Sequence, residues 1–157
     1  MNNIDKFFLE LMKKHEGFRS KYYYCTAKKK TIGYGRNVDD NPFTQEELDF
    51  LRCKNPDKLV ITKAQAEQIL INDMAKVHKK LIKKIPFYEG KPKDIQHILT
   101  NMAFNMGTNG LLKFVNTLKL IKYSEYKTAS VEMLDSRWAK QVGNRAKELS
   151  NILSKIN

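Results

Sequence analysis

The chain has 157 residues, 41% of them hydrophobic and 10% aromatic, enough for one packed domain and too apolar for a disordered chain. Seven Gly and four Pro exclude collagenous and low-complexity classes. A formal charge of +12 predicts an anionic partner, but 24 of the 29 basic residues are Lys rather than the forked Arg that reads bases.

The first element is an amphipathic helix. Ile4, Phe7, Phe8, Leu11 and Met12 form one apolar stripe, with Asn2 or Asn3 as the cap and Gly17 at the end. Glu16 therefore stands where a helix hands over to the next element. Tyr22-Tyr23-Tyr24 and Thr31-Ile32-Gly33-Tyr34-Gly35 read as a β-hairpin, although the Ala27-Lys28-Lys29 link has no Gly or Asn for the turn. Asn41-Pro42 and Asn55-Pro56-Asp57 are turns, with a short helix from Thr44 to Leu51 between them.

Beyond residue 60 the chain reads as helical. Thr62-Lys63-Ala64-Gln65 is a capping-box pattern, and Ala66, Ile69, Leu70, Met74, Val77 and Leu81 face inward until Pro86 stops the helix. Pro92 suits a helix start, with Ile95, Ile98, Leu99, Met102 and Met106 buried, and Gly107 and Gly110 bracket the following turn. Leu111–Lys122, Glu125–Leu134 and Arg145–Ile156 supply further helices. The outline is α+β and mainly α: a small N-terminal lobe with a hairpin, a long helix, and a C-terminal helical bundle, with a cleft between lobes for a ligand.

Cys25 and Cys53, with His15, His78 and His97, form neither a disulfide framework nor a zinc pattern, so neither metal nor cofactor is expected. No apolar run reaches the roughly 18–20 residues of a membrane span, and Glu10, Lys13 and Lys14 interrupt the N-terminal stripe, which excludes a signal peptide. The expected product is soluble and made in the cytoplasm.

The chemistry is concentrated in Glu16, then Cys25 nine residues later, then Thr31 six residues after that. A hairpin folding back over a helix end brings a carboxyl, a thiol and a hydroxyl together. The pattern closely resembles the phage-type lysozymes, glycoside hydrolase family 24, whose motif is Glu, eight residues, Asp or Cys, five residues, Thr. The resemblance continues through Ile61-Thr62-Lys63, Asn101 to Gly107, Ser136-Arg137-Trp138 and Asn144-Arg145-Ala146-Lys147, and so covers nearly the whole chain in order. It implies a lysozyme fold with residues 1–12 as a first helix packing on the C-terminal lobe, 13–60 as the N-terminal lobe, 61–85 as the connecting helix and 86–157 as the C-terminal lobe.

The resemblance further implies hydrolysis of β-1,4 linkages between N-acetylmuramic acid and N-acetylglucosamine in bacterial peptidoglycan, for host lysis. Glycoside hydrolysis needs a proton donor for the leaving oxygen and a second group at the anomeric carbon. By the resemblance Glu16 is the acid, Cys25 the nucleophile or water-activating base, Thr31 the positioning hydroxyl, and Arg145 the support of the acid. A thiol is mostly neutral at pH 7, but its thiolate is a strong nucleophile that cations stabilise, and Lys28, Lys29 and Lys30 are near in sequence. Phe104, Asn105 and Thr117 match substrate-binding positions.

Departures from the family pattern are Arg36 for His, Asn37 for Leu, Glu132 for Asn, Asn105 for Gln and Thr117 for Ser. The first implies that a buried ion pair of the family is lost or rearranged. Three alternatives accompany this reading. They are a relative that binds peptidoglycan without cutting it, a lytic transglycosylase leaving a 1,6-anhydro sugar, and a basic nucleic-acid binder. The last lacks a recognisable recognition motif, so no nucleic-acid partner is expected. A monomer without stable membrane insertion is expected, reaching the wall through a lesion made by a separate membrane protein.

Overall fold

The computed structural model describes residues 4–157. Asn2 and Asn3, expected as helix caps, lie outside the described residues. Among these residues the chain is mainly helical with a small antiparallel sheet. It divides into two compact units with the boundary between Ala75 and Lys76.

The N-terminal unit opens with α1 (Lys6–Glu16), capped by Asp5, whose carboxylate accepts the backbone N–H of Phe7 at 2.8 Å. Gly17, at φ 70°, closes the helix, with its N–H bonded to the Lys13 carbonyl. Strands β1 (Arg19–Tyr24), β2 (Lys30–Gly33) and β3 (Arg36–Asn37) form a sheet in that order. The expected hairpin is present. Its turn puts the left-handed conformation on Lys28 (φ 59°), so a Lys does what Gly or Asn usually does. The two-residue β3, too short to show alternation, was not expected. Pairing of Arg19 with Gly33 and of Tyr23 with Thr31 leaves extra residues on β1, a bulge that re-aims the strand toward its Cys25 end.

Arg36 organises the rest of this unit. Only 1% exposed, it donates to both carboxylate oxygens of Glu47 (2.8 and 3.0 Å) and to Asp73 at 2.9 Å. It also donates to the Asn41 and Pro42 carbonyls, while Phe43 covers its guanidinium. Burial alone would raise the Glu47 pKa, but hydrogen bonds from Arg36, the Thr44 backbone and Asn72 hold it at about 2. The ion pair expected to be lost or rearranged is thus rebuilt around Arg36, with one cation between two carboxylates. Glu47 also closes the Thr44 capping box of α2 (Gln45–Phe50).

Helix α3 (Lys63–Lys84) begins at the expected capping box, with Thr62 and Gln65 exchanging side chain-to-backbone bonds of 2.9 and 3.1 Å. It ends before Pro86. Ala66, Ile69, Leu70, Met74 and Leu81 are buried as expected; Val77 is half-buried.

In the C-terminal unit α4 (Lys93–Met106) follows Pro92, and its residues from Ile95 to Ala103 are all buried. A helix buried on every face must satisfy its polar residues internally. Gln96 donates to the Glu89 and Lys91 carbonyls, Thr100 bonds Tyr88, and Asn101 accepts from Arg145. Around it lie α5 (Thr108–Leu112), α6 (Val115–Lys122), α7 (Tyr126–Leu134), α8 (Arg137–Val142) and α9 (Asn144–Ser154).

Two expectations are corrected here. The segment from Leu111 to Lys122 is not one helix: it breaks at Lys113 and Phe114, where tighter bonds to Gly110 and Leu111 end α5. The Phe114 ring then packs edge-on against Trp138 at 5.9 Å, a tertiary contact that outweighs helical continuity. Gly110 lies inside α5 rather than in a turn, where an added Cβ would stand 3.1 Å from Met106 Cγ.

Candidate active site

Glu16 is the last residue of α1, half-buried, and its side chain lies against Gly35. A Cβ at Gly35 would collide with Glu16 Oε1 and stand 3.2 Å from its Cδ, and Gly35 itself has φ 78°. The positive φ favours glycine there, and any larger residue would also push the Glu16 carboxyl aside. The Gly-Tyr-Gly segment therefore lets the backbone come up to the carboxyl.

Cys25 follows β1, half-buried, where its N–H bonds the Lys29 carbonyl at 3.0 Å and its carbonyl accepts from Lys28 at 2.8 Å. The backbone N–H of Lys29, joined by that of Ala27, the Thr31 hydroxyl and Cys25's own N–H, holds the thiol below its ordinary value against the opposing effect of burial. Two of the three lysine ammonium groups expected in this role are engaged elsewhere. Lys29 Nζ pairs with Asp40 at 3.1 Å, and Lys30 Nζ sits over the Tyr22 ring at 4.3 Å. Backbone amides supply the positive potential instead.

Thr31 is 3% exposed, and its hydroxyl donates to the Lys29 carbonyl at 2.9 Å while standing within reach of the Cys25 sulfur. Its one proton serves the carbonyl or the thiolate, not both at once. Tyr23 pairs with Thr31 across the sheet, and burial, the Glu16 carboxylate and Cys25 hold its phenol above its usual value. Sequence reasoning passed over Tyr23 and Gly35. The signals were the two-residue spacing of Tyr23 from Cys25 and the paired glycines around Tyr34.

In the C-terminal unit, Arg145 is buried and fixed by Asn101, Nε donating to its side-chain oxygen at 2.9 Å. Asn105 is exposed and its side-chain oxygen accepts the Trp138 indole N–H at 2.8 Å. Phe104 is half-buried. Thr117 is 3% exposed and lines a cavity of about 200 Å³ with Phe114, Asn116, Glu132 and Ser136. Cys53 is half-buried, and both cysteines are unbridged thiols. Among the described residues, no three His, Cys, Asp or Glu side chains converge as metal ligands, and no helix is long and apolar enough to cross a membrane.

Residues 13–153 match the family described as phage lysozyme. The chain belongs to the phage lysozyme family. Among its relatives, "Probable T4-type lysozyme 1" of Dictyostelium discoideum is 26% identical over 156 residues, covering 92% of this chain and 91% of that one. "Endolysin" of Acyrthosiphon pisum secondary endosymbiont phage 1 is 30% identical over 143 residues, 87% of this chain and 82% of that one. "Pre-baseplate central spike protein Gp5" of Enterobacteria phage T4 is 25% identical over 162 residues, covering 97% of this chain but 28% of that much longer protein. As a member of the phage lysozyme family the chain is a glycoside hydrolase, a lysozyme-like peptidoglycan hydrolase.

Proposed function

We propose that this phage lysozyme hydrolyses the β-1,4 linkage between N-acetylmuramic acid and N-acetylglucosamine, with its chemistry in the N-terminal unit. Glu16 protonates the leaving glycosidic oxygen. Cys25, as the thiolate, either attacks the anomeric carbon or takes the proton of an attacking water. Thr31 holds the sulfur and stabilises its anion. The observation that carries this reading is that the Lys29 carbonyl accepts both the Cys25 N–H at 3.0 Å and the Thr31 hydroxyl at 2.9 Å, which sets thiol and hydroxyl side by side in a turn whose backbone lowers the thiol pKa.

Phe104, Asn105 and Thr117 are proposed as contacts to the glycan or its peptide, and the support of the acid by Arg145 rests on the family resemblance. The proposed setting is host lysis, with access to the wall through a lesion made by another protein. Clearing of a purified wall suspension tests the reading. Wild type and Cys25→Asp should clear it, whereas Glu16→Gln, Cys25→Ala and iodoacetamide-treated wild type should lose activity by about 10²-fold or more. Full clearing by Cys25→Ala would contradict the role given to the thiol.

A further inference from the structure

We propose that the Tyr23 hydroxyl is a substrate-binding and positioning group of this site, donating a hydrogen bond to an oxygen of the N-acetylated sugar at the cleaved linkage. The inference rests on the function proposed above and adds a fourth side chain to it.

Three placements argue for it. Tyr23 is the cross-strand partner of Thr31, so their side chains share one face of the sheet. Cys25 lies two residues further on, just past the end of β1, where its N–H bonds the Lys29 carbonyl at 3.0 Å. The Glu16 carboxylate is close enough to help raise the pKa of the phenol. The ring therefore stands beside Thr31 and within electrostatic reach of Glu16 and Cys25.

Its hydroxyl is also uncommitted. Three other tyrosine hydroxyls are occupied: Tyr22 donates to the Pro56 carbonyl at 2.7 Å, Tyr88 bonds His78 and Thr100, and Tyr126 donates to Ser124. Tyr23 is half-buried, yet its hydroxyl bonds no group among the described residues. A half-buried phenol beside two groups that become anionic keeps its proton and is always a donor. The ring itself is held, with the Arg19 guanidinium stacked on its face at 4.5 Å. A fixed ring with an idle donor at a reaction centre is suited to an acceptor oxygen on the substrate, as sugar hydroxyls and acetamido carbonyls provide.

Tyr23→Phe removes the hydroxyl and keeps the ring and its Arg19 contact. The expected result is a loss of about tenfold in kcat/KM for wall solubilisation and a similar loss of affinity for a soluble N-acetylglucosamine tetramer by calorimetric titration. The melting midpoint should be unchanged. Tyr24→Phe, altering a ring that is 72% exposed, should behave as wild type in all three measurements. Wild-type kinetics and affinity in Tyr23→Phe, alongside an inactive Glu16→Gln, would overturn this inference and leave the proposed function standing. A lowered melting midpoint would also overturn it, since the hydroxyl would then serve the fold. If wild type cleaves no wall, the proposed function fails. The titration still judges Tyr23 in that case: equal affinity in wild type and Tyr23→Phe, or binding by neither, overturns the inference.

Discussion

At the scale of single residues, the turn between β1 and β2 lowers the Cys25 thiol below its ordinary pKa, chiefly through its backbone. Cys25 meets the N–H groups of Ala27 and Lys29 because the turn between β1 and β2 curls around it. Only Thr31 adds a side-chain donor. Thr31→Val should therefore raise the Cys25 pKa toward its ordinary value while keeping the β-branched packing. Iodoacetamide alkylation at pH 7 should slow by a few-fold, and the midpoint of its pH–rate profile should move up. A profile unmoved by this change would show that the hydroxyl proton stays with the Lys29 carbonyl. Glu16, Cys25 and Thr31 were legible as a spaced motif. The source of the potential at Cys25 was not, because backbone amides leave no trace in residue types, and Lys29 and Lys30, which seemed suited to it, meet Asp40 and Tyr22.

At the scale of elements, the Arg36 cluster ties β3, α2 and α3 together through Glu47 and Asp73. Its pH dependence has a definite sign. Glu47 titrates near 2 in the folded state and near 4.5 otherwise, so its contribution is complete above about pH 4.5 and is lost as the pH falls from there toward 2. Glu47→Gln leaves a buried guanidinium half-satisfied and should cost about 3 kcal/mol at pH 7. Thermal melts from pH 7 to 2 should show the variant starting lower and declining less steeply through this window. Parallel curves for the two proteins would contradict this account. The cluster was only partly legible. Arg36 was recognised as a departure from the family, but its partners lie 11 and 37 residues away and no local pattern joins them. Helix α3 was legible from its capping box and stripe, whereas the break between α5 and α6 depends on Phe114 meeting Trp138, a contact between distant segments.

At the scale of the whole molecule, a charge of +12 carried mainly by Lys is suited to diffuse attraction toward an anionic wall. Raising ionic strength from about 0.02 to 0.3 M should lower the rate of wall clearing at low wall concentration more than the turnover on a small neutral oligosaccharide. Equal salt dependence on both substrates would mean that the charge does not act in the encounter. Composition, the order of elements and the spaced motif made the mainly helical α+β class readable in advance.

The claim beneath all of this is that Glu16 and Cys25 add water across the glycosidic bond. Mass spectrometry of wall digests by wild type, Glu16→Gln and Cys25→Asp tests it most directly. The account predicts hydrated disaccharide–peptides ending in reducing N-acetylmuramic acid from wild type and Cys25→Asp, and none from Glu16→Gln. Products that end in a 1,6-anhydro sugar, or hydrated fragments released equally by Glu16→Gln, would contradict it.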